Sequence, residues 1–348
     1  KHIEKQVVNS DVELYCVISN TASTDGTHEY LSQLKSEKIR YLIHSSLGEN
    51  LSINWQTSAE MVPDDIDWVW FHGDDDYLYV ENSVQLVIDQ IQLAAAPSLS
   101  IVHACQARRS RDSGVIMQGD LLSMCNELGY HEILGWMSSL VVRKDRFKLA
   151  ISTLPRLEKI EEIFDQKISA YTHSHNLLKF CHADQAMLID LPLVEPQDQE
   201  QTQESIERWA QVRTVERYFF VIDDLLKLKD QGILAGGLSR TFFRYLNGFF
   251  WDRYVALLLI GVCEHGKLTE LHHQHLQRFK NMSNLFSKPS DMKQFLNLYM
   301  AVEERINRYL DAVEQISRAR TSIENFLQFS STQVFSFPLL DADGKIQN

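Results

Sequence analysis

Cysteine is sparse in this chain. Its five cysteines, Cys16, Cys105, Cys125, Cys181 and Cys263, are odd in number, far apart, and never spaced as CxxC. That pattern argues against a structural zinc site and against a disulfide framework, and it fits a reducing cytoplasm. Long apolar runs are also missing. The longest, Val255 to Cys263, falls far short of the about 20 residues that span a bilayer. No signal peptide is visible. Positive charge is scarce: 34 Lys and Arg stand against 47 Asp and Glu, for a net charge of −13. A general nucleic-acid binder carries a basic footprint, so nucleic acid is not an expected partner. Internal repeats are absent.

What the sequence does have is enough chain and apolar content for one large or two ordinary domains: 348 residues, 44% hydrophobic and 23% charged. Its first part alternates strand and helix signals. Strands are predicted over 12–19, 39–43, 66–71 and 99–104, and helices over 28–35, 51–62 and 80–95. The run Ile66 to Phe71 is apolar throughout, as in a central strand buried on both faces. This alternation predicts a mostly parallel, Rossmann-like sheet. Residues 195–204 are polar, without apolar anchors, and read as a linker. Beyond them strand signals give way to helical ones, so the expected division is an α/β domain over 1–200 and an all-helical domain over 201–348. Gly232, Gly236 and Gly237 interrupt its first helical stretch. A long helix follows Ser287-Lys288-Pro289-Ser290, with Ser290 as its N-cap. Its apolar positions Phe295, Tyr299, Val302, Ile306, Tyr309, Val313, Ile316, Ile323 and Leu327 form a heptad-like seam. The seam reads either as packing inside a bundle or as a homo-oligomer contact through residues 290–328.

Two segments carry chemistry. The first strand runs into Asn20-Thr21-Ala22-Ser23-Thr24-Asp25-Gly26-Thr27, rich in hydroxyls and turn formers, with Thr27 a candidate helix N-cap. The strand ending at Phe71 runs into His72-Gly73-Asp74-Asp75-Asp76. Loops at the carboxyl ends of strands are where open α/β sheets bind ligands. Adjacent carboxylates repel one another unless a cation neutralises them. Hard divalent cations such as Mg²⁺ or Mn²⁺ take carboxylate oxygens and keep positions open for phosphate. The acidic run Pro63-Asp64-Asp65-Ile66-Asp67 precedes its strand and reads as a solvated loop.

These segments resemble the "DNxSTDGT" loop and the "GDDD" variant of the DxD motif of family-2 glycosyltransferases with the GT-A fold. The resemblance covers roughly residues 1–195. Leu134 to Lys144 is similar to the family's acceptor-side strand. Tyr171-Thr172-His173 and Ala186 to Val194 are similar to later segments of its abequosyltransferase-like branch. The resemblance implies a metal-dependent transfer of a sugar from a nucleotide-diphosphate sugar to a hydroxyl of a glycan or lipid-linked acceptor, as in bacterial surface polysaccharide synthesis. It makes Asp75 the direct metal ligand, with Asp76 next, and places Gly73 where the family's first acid often stands. Asp74 would touch ribose or sugar. Asn20 stands where the family has an acid that contacts the base. Ser23 would support that loop and Asp25 its turn. Asn54, in a stretch similar to the one before the family's second helix, would orient the ligand loops or simply start a helix. The family also opens with a strand and a "PxYN" loop that no residue here matches.

On the acceptor side, Trp136 could stack on a sugar or serve the core. Arg143 and Lys144 could face phosphate or solvent. The run Arg108-Arg109-Ser110-Arg111 could meet a pyrophosphate-linked acceptor or an anionic membrane surface, giving a peripheral membrane contact, or it could be a solvated loop. An inverting transfer needs a general base near the acceptor hydroxyl. The family's "ED" pair is missing at its usual place, which Tyr171-Thr172-His173-Ser174-His175 occupies instead. His173 is therefore the first candidate base, followed by His175 and Asp165. The departure leaves inversion against retention open. Two rivals use the same features: a degenerate GT-A domain serving as a binding or assembly module, and a metal-dependent phosphatase or nucleotidyltransferase built on the triple acid.

Overall fold

A computed structural model describes residues 3–20, 23, 25–45, 51–107, 110, 113–155, 157, 162–196, 212–234, 270, 273, 274, 277, 280 and 289–316. The chain separates into two compact units: 1–200 with 220–237, and 201–219 with 238–348.

The first unit opens with strand β1 (Leu14–Asn20), helix α1 (Thr27–Ser32) and strand β2 (Ile39–Ser45). β1 and β2 pair in parallel, Leu14 opposite Ile39 and Asn20 opposite Ser45. Helix α2 (Leu51–Met61) packs on both. The chain then enters a six-stranded sheet through β3 (Trp68–Phe71) and β4 (Asp76–Leu78). The other strands are β5 (Leu99–Gln106), β6 (Ile116–Asp120), β7 (Leu140–Arg143) and β8 (Gln185–Pro196), in the order β3-β7-β5-β8-β4 with β6 also on β8. Interleaved are α3 (Ser83–Ala94), α4 (Leu121–Leu128), α5 (Tyr130–Leu134), α6 (Lys144–Ser152), α7 (Glu162–Asp165) and α8 (Thr172–Cys181).

The α/β alternation expected from the sequence is therefore present, with a mixed sheet. Among the described residues β1/β2 and β5/β8 pair in parallel, and β3/β7, β4/β8, β5/β7 and β6/β8 are antiparallel. The expectation that β3 is a central, doubly buried strand is corrected. It stands at one end of the sheet's order and is half-buried along its length. The doubly buried strand is β5, the run Leu99 to Cys105. On one face Val102 and Ala104 join Val87 of α3, Val141, Met187 and Ile189 in an apolar cluster. On the other, His103 points to α5, its Nδ1 3.0 Å from the Ile133 carbonyl. Helices thus cover both faces, and burial of β-branched side chains on both sides stabilises β5 by about 1.5–3 kcal/mol per fully buried residue. Among the described residues Cys16, Cys105, Cys125 and Cys181 form no disulfide.

Two predicted caps fall inside their helices. Gly26, at φ 86°, occupies the N-cap of α1, and Thr27 is the first helical residue. A left-handed backbone favours glycine at that point. Pro289 likewise opens the helix Pro289–Ile316, which puts Ser290 inside its first turn. Proline suits the first helical position, where its missing N–H has no intrahelical partner. Along the predicted seam of that helix Phe295 and Tyr299 are buried within the single chain. The side chains of Val302, Ile306, Tyr309, Val313 and Ile316, and all of Ile323 and Leu327, lie outside the described residues. So do the linker beyond Pro196, Gly236, Gly237, and the run Val255 to Cys263. The helix Val212–Asp230 precedes Gly232. Among the described residues no helix is long and apolar enough to cross a membrane.

Candidate functional site

The acidic loop lies between β3 and β4. Phe71 pairs with Leu140, which also faces His103 of β5, and Asp76 pairs with Pro196 at the end of β8. The segment 72–75 therefore crosses the sheet's edge at the carboxyl ends of β5 and β8. Open α/β sheets keep their ligand sites at such edges.

Because β7 runs antiparallel to β3, the residues just before β7 come to this edge. A 3-10 turn, Met137–Ser139, leads into β7. The buried Ser138 Oγ accepts a hydrogen bond from the Gly73 N–H at 2.7 Å and donates one to the Asp76 carboxylate. The Ser138 carbonyl accepts from the Trp70 indole N–H at 2.8 Å. Asp76 is half-buried, and burial raises its carboxyl pKa. The Ser138 hydroxyl and His72 pull the other way, while Asp75 and Asp74 add repulsion that raises it further. His72 Nδ1 lies 2.9 Å from the Gly73 carbonyl, so it donates there, and its buried Nε2 has no partner among the described residues.

A divalent cation fits this loop in one respect. A Cβ added at Gly73 would stand 2.8 Å from Asp75 Oδ1 and 2.9 Å from Asp76 Oδ2. Two carboxylate oxygens thus flank one small open position against the backbone, and the neighbouring Asp75 already disfavours the charge on Asp76. As they stand, no three His, Cys, Asp or Glu side chains among the described residues converge as a metal-binding set. Asp75 and Asp76 are the pair that would hold the ion. Asp74 shares the loop.

The first loop is organised by its own side chains. Asn20 is buried, and its Oδ1 accepts from the Ser23 N–H at 3.2 Å and the Ser23 hydroxyl at 2.7 Å. Its buried Nδ2 has no partner among the described residues. Asp25 Oδ1 accepts from the Thr27 N–H at 3.1 Å and the Thr27 hydroxyl at 2.6 Å, bonds that lower its pKa. Thr21, Ala22 and Thr24 lie outside the described residues. Helix α2 links the ends of the two strands: the Ser19 hydroxyl donates to Asn54 Oδ1 at 3.2 Å, and the next residue, Trp55, meets Phe71 edge-on at 5.1 Å.

The other expected residues are dispersed. Trp136 opens the 3-10 turn and packs against the sheet's apolar cluster, half-buried. Arg143 lies at the opposite edge of the sheet from the acidic loop, since it pairs with Trp68 at the start of β3. There it grips Asp145 at 2.6 and 2.9 Å and the Pro97 carbonyl at 2.8 Å. The antiparallel direction of β7 overturns its expected acceptor role. The run around Arg108, Arg109 and Arg111 lies outside the described residues.

His173 is only 3% exposed. Its Nε2 donates to the Leu134 carbonyl at 3.1 Å, beside a 2.7 Å bond from the Ser174 hydroxyl, and Trp55 meets its ring edge-on at 5.6 Å. Burial drives its pKa down to about 4. That enclosure corrects the expectation of a base poised at an acceptor hydroxyl. His175, two residues on, faces a different side of α8, toward Asp224, and burial lowers its pKa. Asp165 is exposed in the one-turn helix α7. Sequence reasoning missed Ser138 and His72. His72 had a local signal in its place before the triple acid, whereas Ser138 had none.

No known protein-family model matches this chain, and no curated protein matches it.

Proposed function

We propose that the chain is a metal-dependent glycosyltransferase that moves a sugar from a nucleotide-diphosphate sugar to a hydroxyl of a glycan or lipid-linked acceptor. Bacterial surface polysaccharide synthesis is the setting that the resemblance suggests. What supports the reading is one juxtaposition. Adjacent residues of α2, Asn54 and Trp55, touch the ends of β1 and β3, so a hydroxyl-rich loop and an acidic loop leave from strand ends braced by one helix.

In this reading Asn20 offers an amide to the base, with Ser23 and Asp25 holding the loop in shape. Asp74 reaches ribose or sugar, and Asp75 and Asp76 hold Mg²⁺ or Mn²⁺. A bound cation neutralises charge that develops on the departing diphosphate. Trp136 borders the acceptor side. Buried His173 positions the Leu134 carbonyl and hence the turn that follows. A peripheral membrane contact, and self-association through residues 290–328, belong to the same proposal.

A thermal-shift series with UDP, GDP, CDP and dTDP, each with and without Mn²⁺, tests it. A ligand that binds only the folded state raises Tm by mass action, by the equivalent of about 2.7 kcal/mol at a hundredfold excess over Kd. The expected result is a Mn²⁺-dependent shift for one nucleotide, followed by turnover with its sugar conjugate. Binding without turnover would favour a binding module. No shift with any of the four would sink the donor assignment.

A further inference from the structure

We propose that Ser138 is the positioning residue of the acidic loop, holding Asp76 in the orientation that receives a divalent cation. The inference rests on the metal reading above and concerns a residue outside the acidic motif. Ser138 is 1% exposed. Its hydroxyl can donate once and accept twice. It accepts from the Gly73 N–H and donates to the Asp76 carboxylate, so one oxygen fixes both the backbone and a side chain of the loop.

The serine is itself held from several directions. Its carbonyl takes the Trp70 indole N–H, from the strand that delivers the acidic loop. Four residues upstream, the Leu134 carbonyl takes hydrogen bonds from His173 and Ser174 of α8. The turn between these anchors has little freedom, and its hydroxyl is aimed before any ligand arrives. The carboxylate oxygens of Asp75 and Asp76 stand 2.8 and 2.9 Å from the same point over Gly73. A rotation of Asp76 away from Ser138 would break that pairing. Groups that orient a metal-binding side chain are commonly worth 10–100-fold in metal affinity.

The neighbouring residue supplies a matched control. Ser139 is also buried, at 0% exposure, and its hydroxyl has no partner among the described residues. Ser138→Ala and Ser139→Ala remove the same atom from adjacent buried sites, but only the first removes a contact to the acidic loop. The experiment titrates the full chain with Mn²⁺ alone, reads free Mn²⁺ by electron paramagnetic resonance, and melts each variant without metal to verify folding. The expected result is Mn²⁺ binding weakened about 10- to 100-fold in Ser138→Ala and changed less than about twofold in Ser139→Ala. If Ser138→Ala does not fold, Ser138→Cys, which keeps a weak donor, carries the comparison and is expected to fall between. Unchanged affinity in the Ser138 variant, or equal losses in both, would overturn the positioning role while leaving the metal reading in place. Failure of the unmodified chain to bind Mn²⁺ would overturn both.

Discussion

At the scale of single residues, His173 shows how far burial moves a histidine from the role its sequence context invites. A general base works best with a pKa near the operating pH. Enclosed by Trp55 and the Leu134 carbonyl, this imidazole is neutral down to about pH 4. It is a weak base out of contact with solvent. The same burial has a consequence for stability. In the unfolded chain the ring titrates near its ordinary value of 6.5, and in the fold near 4. Between those values the unfolded state takes up a proton that the folded state refuses, so stability falls as pH drops from about 6.5 to 4. At 1.36 kcal/mol per unit the loss reaches on the order of 3 kcal/mol. His173→Gln keeps a donor for Leu134 and removes the titration. Urea melts from pH 7 to pH 4 are expected to show a flatter stability curve for the variant, by up to about 3 kcal/mol. Parallel curves would show that His173 carries no such load.

At the scale of elements, the sequence discloses what is periodic and local, and hides what pairing direction decides. The alternation of strands and helices up to Gln106 is legible, β4 excepted, because each predicted element is a short apolar run closed by turn chemistry. The strand β3 misleads because Trp68, Trp70 and Phe71 are as apolar as a central strand would need, while the pairing order places them at one end of the sheet. Arg143 misleads for a related reason: it sits at a strand's carboxyl end, but β7 is reversed, so that end lies away from the site. By the same reversal Ser138 arrives at the acidic loop across 65 positions of sequence from Gly73. No local pattern could announce that contact. The acidic loop itself is legible, and Gly73 within it tests the open position between the Asp75 and Asp76 oxygens. Gly73→Ala introduces a Cβ less than 3 Å from both carboxylate oxygens without demanding a left-handed backbone. The carboxylates can swing aside, so the metal-free Tm is expected to move by no more than a few degrees, roughly 1 kcal/mol. The Mn²⁺-dependent rise in Tm is expected to vanish. A full Mn²⁺ response in Gly73→Ala would show that the ion does not use the open position over Gly73.

At the scale of the whole molecule, the boundary expected near residue 200 marks a place where the chain leaves its first unit only to return. Residues 220–237 belong with 1–200. They bring buried Phe220, Val221, Ile222, Leu225, Leu228 and Leu234. They also bring Asp224, whose charge reaches Tyr130 and His175 of the first unit. The sequence hid this because a composition shift marks where strand signals stop, whereas a folding unit is defined by what buries its apolar surface. Fully burying side chains of this kind contributes about 1.5–3 kcal/mol each, against a typical net stability of about 5–15 kcal/mol for a domain. Losing six of them would consume most or all of that margin. A fragment ending at residue 200 is therefore expected to melt without a cooperative transition and to expose apolar surface to a hydrophobic dye. A fragment ending at residue 237 is expected to unfold in a single urea transition. If the shorter fragment unfolded as cooperatively and at the same urea midpoint, the returning segment would be an accessory to the first unit. A gain of cooperativity on extending from 200 to 237 would make it part of that unit's core, and would set 237 as the earliest end for a fragment used to measure donor or metal binding.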